Sequence, residues 1–289
     1  MIRRISALAL LILLATNVYA GNDAPADKVV TVSAYYTRGK ATVINHYMSD
    51  QEYKGPISGF GVEFASMYKR SKSLSWDLTA KYLGAGYSPG APDSYIGNPA
   101  KTSFYAMQVY DVNYGTYYNW NPAKNLVLKA GGSFNVSGGL MNGAPDHVNN
   151  AMDLDLQTQF KASVGLKYGL YFKKFGLSLQ ADLAVPFVGM AVSSSTYESS
   201  LDSMVKGEIL PGTIRPFCFT SFHNLQGFDT KAELDLIFRK VTIFYAFESY
   251  KRTWYLHEIH NTRNYSMSRI GLKLDLAAHN RLNSSSRYY

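Results

Sequence analysis

The chain contains very little cysteine, with Cys218 the single example among 289 residues. A lone cysteine excludes an internal disulfide framework and is more often a small buried side chain than a reactive thiol. Beyond the N-terminal region, no apolar run reaches the roughly 20 residues that a membrane-spanning helix needs. Basic residues are spread along the chain without forming a stripe, which argues against a nucleic-acid partner.

The N-terminal region has the pattern of a secretory signal peptide. Arg3 and Arg4 precede a short apolar run, and the small residue Ala20 stands before an expected cleavage site. This run is too short to be a transmembrane helix. We therefore expect residues 1–20 to be removed on secretion and residues 21–289 to form one domain.

The rest of the sequence is dominated by alternation of apolar and polar residues with a period of two. This is the pattern of a strand whose two faces meet different surroundings. In one segment, Phe160 and Val164 lie on the apolar face while Lys161 and Ser163 lie on the polar face. Several segments have the length of strands that cross a bilayer at a tilt, about 9–11 residues. The ten predicted strands are 29–37, 57–68, 74–84, 103–119, 126–140, 160–172, 175–187, 231–239, 241–254 and 269–276.

Short and long links alternate between these segments. The short links are 69–73, 120–125, 173–174 and 239–240, and the long links are 38–56, 85–101, 141–159, 188–230 and 255–263. Transmembrane barrels show this rhythm, because their turns are short at one end and their loops are longer at the other. The longest link could hold two further strands, since residues 214–222 are β-like in composition, so twelve strands is the alternative.

Alternation by itself also fits a soluble periplasmic β-sandwich that binds a lipid or partner, with its apolar face turned inward. Three features favour a barrel. The segments exceed the usual sandwich strand of about 5–6 residues, the links alternate in length, and aromatic residues such as Tyr117, Trp120 and Trp254 lie near strand ends. The predicted fold class is therefore all-β, a transmembrane antiparallel up-and-down β-barrel of about ten strands located in the outer membrane.

The polar face of such a barrel must point inward, because a sheet in lipid has to close on itself and its charged side chains need partners. We expect these charges to pair with one another and plug a narrow lumen. A narrow polar path for a small solute is the alternative. The predicted lumen charges are Asp77, Lys81, Asp111, Lys129, Lys161, Lys167, Asp182, Glu233, Asp235, Glu248, Arg252, Arg269, Lys273 and Asp275.

Ser221 and His223 are the candidates for catalysis, in a barrel hydrolase acting on lipid or peptide. Their spacing places both on one face of a strand, where an imidazole can take the hydroxyl proton. A third residue would have to orient the imidazole, and Asn224 and Asp229 are the nearby candidates. The alternative is a hydrogen bond at a loop or strand end, because Ser-x-His pairs arise readily by chance.

His257, Glu258 and His260 form a second polar cluster, in a predicted loop. A histidine pair with a carboxylate can hold zinc. The order of these residues differs from the helical His-Glu-x-x-His motif, so a solvated polar loop is the preferred interpretation. We predict no metal and no cofactor.

With its signal peptide, alternating segments and loop rhythm, the chain resembles the broad class of Gram-negative outer-membrane β-barrel proteins. Its C-terminal third, with the distinctive stretches 222–229 and 261–266, looks like an uncharacterised family of such barrels. The resemblance carries no known activity with it. The preferred expectation is a non-enzymatic barrel with a structural, surface-interaction or small-solute transport role, and a barrel hydrolase is an alternative. The resemblance also implies contacts with outer-membrane lipid, lipopolysaccharide and the barrel assembly machinery.

The C-terminus departs from the usual pattern of this class. Members usually end in a strand with an aromatic last residue, and Tyr289 is aromatic, but residues 277–287 do not alternate. Either the last strand ends near Leu276 and is followed by a polar tail over 277–289, or the register at this end is different.

Overall fold

The computed structural model describes the central body of the chain. The described residues are 28–46, 49–68, 74–89, 105–123, 125–143, 152–172, 175–193, 218–238, 241–256 and 259–276. The predicted signal peptide, the predicted tail over 277–289, and the pair His257 and Glu258 lie outside these ranges. Within them, no helix is long and apolar enough to cross a membrane.

The described residues form long antiparallel strands. They are β1 (Lys28–Asn45), β2 (Ser49–Tyr68), β3 (Leu74–Pro89), β4 (Tyr105–Ala123), β5 (Leu126–Gly143), β6 (Met152–Tyr171), β7 (Gly176–Ser193), β8 (Cys218–Ser221), β9 (Leu225–Phe238), β10 (Val241–Leu256) and β11 (Ile259–Asp275). Each of the ten segments predicted from alternation contains or overlaps one of the long strands.

The sheet closes on itself. Consecutive long strands pair in antiparallel fashion, and β1 pairs with β11 from Thr31↔Asp275 to Asn45↔Asn261. The short strand β8 pairs with the part of β7 that lies beyond its contact with β9, so β8 and β9 share one position in the wall. The result is a closed ten-stranded barrel, which confirms the predicted fold class and excludes the sandwich.

The stagger of the strands sets their tilt. Following paired residues from Val29 round the whole barrel leads back to β1 at Ala41, an offset of 12 residues (41 − 29). For ten strands this offset corresponds to a tilt of about 40° from the barrel axis. The last strand ends at Asp275, close to the predicted end near Leu276.

The strands are longer than predicted, and β2 has 20 residues. The links expected over 38–56 and 255–263 therefore shrink to residues 46–48 and 257–258, and the predicted length of these two links was wrong. The physical reason is that Lys40 and Lys54 face outward while the strand ladder continues past them. Polar residues on the outer face interrupt the alternation of apolar and polar residues from which the strands were predicted. The backbone pairing of the strands does not depend on that alternation.

The outer surface of the barrel is apolar over a broad band. Exposed side chains such as Tyr110, Leu179 and Ile270, each more than half exposed, face outward from widely separated strands. Tyr118 and Trp120 add exposed aromatic rings at the end of the barrel that carries the short links. A soluble monomer rarely exposes so much apolar area, whereas a transmembrane barrel presents it to lipid between aromatic girdles.

The wall is irregular where β8 gives way to β9. Residues 188–191 of β7 pair with β8 and residues 176–184 pair with β9, and a turn over 222–224 separates the two strands. Gly227 follows this turn with a φ of +148°, and a Cβ there would lie 1.9 Å from the Lys251 carbonyl oxygen. Only glycine fits this position without displacing the backbone of β10.

We predict that Gly227→Ala destabilises the barrel by about 1–3 kcal/mol, because alanine adopts this backbone conformation only with strain. The matched control is Gly138→Ala, whose added Cβ would meet its nearest neighbour at 3.8 Å. The measurement is the temperature at which the unboiled, faster-migrating gel band is lost. The idea fails if both variants lose that band at the same temperature as the parent chain.

Candidate functional site

The interior of the barrel is the candidate functional site. All the predicted lumen charges lie in the described strands, and none of them is exposed. Further charged residues that the sequence reasoning did not select join them, namely Glu63, Asp155, Asp229, Lys231 and Arg263. Glu63 was missed because its inward-facing neighbours on β2 are Gly61 and Ala65, whose small side chains do not mark a polar face.

Arg269 of β11 organises the middle of the lumen. Its guanidinium binds Glu248 of β10 and lies 3.5 Å from a carboxylate oxygen of Glu63 on β2. The same group lies 3.6 Å from the centre of the Tyr35 ring. One buried side chain therefore connects four strands, because an arginine presents several donors in a fixed plane together with a flat cationic face.

Lys81 extends this network across the barrel. Its ammonium contacts the Tyr250 hydroxyl and lies 3.8 Å from Asp111 and 3.9 Å from Glu248. Tyr250 in turn donates a hydrogen bond of 2.9 Å to Glu248. These groups belong to β3, β4 and β10, so the network spans the lumen as well as following its wall.

A second group of ion pairs fills the end with the short links. Lys273 binds Glu233 and lies 2.8 Å from Asp235. Lys231 lies 3.5 Å from Glu233 and 3.8 Å from Asp182. The remaining predicted groups are Lys129, 3.0 Å from Asp182, Lys167, 4.0 Å from Asp235, and Asp275, which accepts a 3.0 Å hydrogen bond from Thr31.

A third group lies toward the opposite end, which we call the outer end. Asp229 accepts from Lys161 at 2.9 Å and from Arg252 at 2.5 Å. Beyond them, Arg263 binds Asp155. Charges in low dielectric are stable only when paired and hydrogen-bonded, which explains why acids and bases are interleaved along the lumen.

An apolar cluster lies in the lumen toward the outer end. We call it the outer cluster, and it comprises Ala41, Val43, Tyr53, Ile57, Leu83, Met107, Val109, Met141, Tyr265 and Met267. Val43, Tyr53, Ile57 and Met141 are fully buried. The sequence reasoning missed this cluster, although its members alternate along β1 and β2, because we assigned an all-polar lumen to the barrel.

Three cavities lie in the lumen, and the uppermost is lined in part by Leu83, Val109 and Tyr265 of the outer cluster. Their volumes are about 170, 130 and 60 Å³ from the short-link end upward. The lower and middle cavities share Asp77, Tyr117 and Lys129, and the middle and upper cavities share Lys81 and Tyr250. The free space therefore narrows toward the outer end.

A family model described as "Protein of unknown function (DUF3316)" matches residues 6–278. The chain belongs to this family. No curated protein matches it. Among solved structures, the chain is similar to the outer membrane protease OmpT from Escherichia coli. The two sequences are 9% identical, and the structures superpose with a TM-score of 0.46 over 89% of this chain and 99% of OmpT.

Two further solved structures are similar to the DUF3316 chain. The translocator domain of the autotransporter NalP from Neisseria meningitidis is 9% identical, with a TM-score of 0.38 over 94% of this chain and 97% of the other. The toluene transporter TodX from Pseudomonas putida is 6% identical, with a TM-score of 0.29 over 87% and 90%. Likenesses this distant carry no functional argument.

Ser221 and His223 do meet in the DUF3316 chain, with the serine hydroxyl 2.5 Å from Nδ1 of the imidazole. Neither candidate third residue is available to orient that imidazole. The side chain of Asn224 accepts from the Ser221 amide at 2.8 Å and donates to the Phe219 carbonyl. Asp229 is held in the lumen by Lys161 and Arg252.

Of the second polar cluster, only His260 lies in the described part of the DUF3316 chain. Its ring stacks on Tyr255, with 4.6 Å between ring centres, and lies 5.6 Å from the ring of His46. Among the described residues, no group of three metal-ligating side chains comes together. Among the described residues, His260 therefore makes aromatic stacking contacts with Tyr255 and His46.

We predict that Arg269→Ala costs about 3–5 kcal/mol of stability, because it leaves the buried carboxylates Glu248 and Glu63 without their shared cation. The matched control is Lys54→Ala, which removes a surface ion pair with Glu52. The side chain of Lys54 is 59% exposed and that of Glu52 is 45% exposed. Exposed pairs contribute little, so this control should unfold almost like the parent chain. Urea unfolding in lipid vesicles, followed by tryptophan fluorescence, measures the difference. Equal losses in the two variants would contradict the assigned role of Arg269.

Proposed function

We propose that this chain is an outer-membrane β-barrel with a lumen closed to solute flow, which acts as a structural or surface-interaction protein. The observation that carries the proposal is the outer cluster, which lies above a lumen already crossed by ion pairs. Tyr53, Ile57 and Met141 of this cluster are fully buried, so no solvent-filled space surrounds them. Desolvating a polar solute at such a constriction is unfavourable.

The outward band of apolar side chains supports a location in lipid, and the predicted signal peptide supports passage into the bacterial envelope. Because the strand number is even, both ends of the barrel chain lie on the side of the short links. In this class of barrels that side faces the periplasm. The strand ends at the opposite, outer end of the barrel then lie toward the cell surface.

Lipopolysaccharide is the lipid partner that fits the outer surface best. Arg38 and Lys40 on β1 and Lys251 on β10 are exposed on the two strands that flank β11, above the apolar residues Tyr36 and Phe247. Cationic side chains at this height match the phosphate groups of an anionic lipid headgroup. Insertion by the barrel assembly machinery, which acts on proteins of this class, completes the proposed set of partners.

We predict that the purified chain adds no steady ionic current to a planar lipid bilayer. The double variant Tyr53→Ala with Met141→Ala should produce measurable current, because it removes two large side chains from the outer cluster. Its matched control, Leu179→Ala with Ile270→Ala, removes apolar volume from the lipid-facing surface and should remain silent. Steady current from the parent chain would refute closure and favour the alternative of a path for a small polar solute.

A hydrolase centred on Ser221 and His223 is the second candidate, supported only by their short contact. The absence of an orienting group at this imidazole among the described residues weighs against it, because an unoriented imidazole is a poor base for a serine.

We predict that a fluorophosphonate probe, which labels activated serines, does not label the folded chain. Ser221→Ala provides the matched background control for this measurement. Labelling of the parent chain that disappears in Ser221→Ala would reverse the order of the two candidates.

A further inference from the structure

We propose that the outward face around β11 binds the phosphorylated sugar headgroup of one lipopolysaccharide molecule, without a bridging divalent cation. This face, which we call the polar strip, consists of Arg38 and Lys40 of β1, Lys251 of β10, and Asn264, Ser266 and Ser268 of β11. The proposal rests on the outer-membrane location proposed above and deepens it, because it assigns one defined site where that location requires only general contact with lipid.

The members of the polar strip point away from the lumen. Successive side chains of a strand point to opposite faces of a sheet, and Tyr265 and Met267, which alternate with the members on β11, are buried inside the barrel. Ser266 pairs with Lys40 of β1. Paired residues of neighbouring strands share a face, so Lys40 points outward together with Ser266. Four members of the strip are exposed, namely Arg38, Lys40, Lys251 and Ser266.

The polar strip lies where the opposite side of the barrel is apolar. On β6, the outward residues Leu154 and Leu156 are 58% and 47% exposed, and Leu154 lies 2 residues (154 − 152) from the outer end of the strand at Met152. On β11, the last outward apolar residue is Ile270, which lies 11 residues (270 − 259) from the outer end at Ile259. The apolar band therefore ends much lower over β11. Acyl chains alone would leave hydrogen-bonding side chains facing hydrocarbon there.

The cations of the polar strip have no counter-charge on the outer face of the sheet. Among the side chains that the structure describes, Glu52 is the one outward carboxylate, and it is paired with Lys54 at 2.6 Å. Within the same ranges, Arg38, Lys40 and Lys251 form no ion pair with a carboxylate. Three uncompensated cations on a membrane-facing surface favour an anionic occupant.

A second copy of this chain fits the polar strip poorly. Two barrels in one membrane pair about a twofold axis along the membrane normal. With β11 at that axis, β1 of each copy faces β10 of the other, so that Arg38 and Lys40 would face Lys251. Like charges that face one another are destabilising. The occupant is therefore an anion rather than a second barrel.

The arrangement of the polar strip matches a phosphorylated sugar. β1 and β10 lie on either side of β11, about 10 Å apart across two strand spacings. Lys40 is paired with Ser266, and Lys251 is paired with Asn264, so a hydroxyl and an amide lie between the cations. Cations bind phosphate oxygens, and a hydroxyl or an amide group both donates to and accepts from sugar hydroxyls.

Apolar side chains continue directly below the polar strip. Ile270 of β11 pairs with Tyr36 of β1 and with Tyr245 of β10, and all three are exposed. These side chains provide a surface for acyl chains. The strip and this surface together therefore match the polar and the apolar parts of one lipid.

Lipopolysaccharide is the lipid that combines several phosphate groups with sugars, whereas a glycerophospholipid of the membrane offers a single phosphodiester. Phosphate groups that lie close together need positive charge between them, which divalent cations supply in free lipopolysaccharide layers. Here Arg38, Lys40 and Lys251 supply three positive charges, so we expect the headgroup to bind without a divalent cation.

The test measures lipid binding to the full chain folded in zwitterionic detergent micelles. The probes are diphosphorylated lipid A and phosphatidylglycerol, each in excess EDTA, and native mass spectrometry counts the lipid molecules on each chain. We expect one lipid A per chain, with phosphatidylglycerol at least tenfold weaker because it offers one phosphate to three cations. Lipid A binding that requires magnesium, no lipid A binding, or equal binding of the two lipids would overturn the proposal.

Substitutions locate the site. The triple variant Arg38→Gln, Lys40→Gln and Lys251→Gln should weaken lipid A binding tenfold or more, and Lys251→Gln alone about fivefold. The matched control is Lys54→Gln, which also removes one exposed lysine, but one already paired with Glu52, and it should retain binding within twofold. Equal losses in Lys251→Gln and Lys54→Gln would contradict the assignment.

Retention of the heat-shifted gel band shows that each variant is folded. The bilayer current described above reports closure of the lumen independently of this site. Failure of lipid A binding with a silent bilayer would therefore overturn the lipid site alone and leave the closed barrel in place.

Discussion

Every feature of this structure depends on satisfying backbone hydrogen bonds in surroundings without water. An unpaired amide or carbonyl in hydrocarbon is so unfavourable that a membrane-spanning sheet has to close on itself. Here β1 meets β11 over 15 paired positions, and no edge strand is left in the wall they form. Closure at a 12-residue offset (41 − 29) then fixes which side chains face one another across the lumen. The ion pairs, the outer cluster and the cavities are consequences of that geometry.

Closure also reverses the usual arrangement of a folded protein. The apolar faces of the strands point outward, and the charged faces are forced together inside. Arg269 and Glu63 are 206 residues apart in sequence, yet their side chains pair in the middle of the barrel. A network of this kind offsets the cost of burial only when each member finds a partner. The outer cluster is an exception, because it places apolar side chains in an otherwise polar lumen.

The outer cluster is the basis for proposing a closed barrel that acts at the cell surface, because its side chains are buried in the lumen toward the outer end. The contact between Ser221 and His223, by contrast, involves a strand end and a turn, and its neighbours are committed to other bonds.

The sequence by itself determined the strands, their number and the inward direction of residues such as Lys81 and Glu248. Strand periodicity is a local property of the sequence, and in lipid the apolar face of each strand points outward and the polar face inward. It did not determine strand length, since outward lysines such as Lys40 hide the alternation while the ladder continues. It also did not reveal Glu63 or the outer cluster as parts of the lumen. Which charges pair was decided only by the tertiary structure. Pairing depends on the offset at closure, and that offset is a property of the whole sheet.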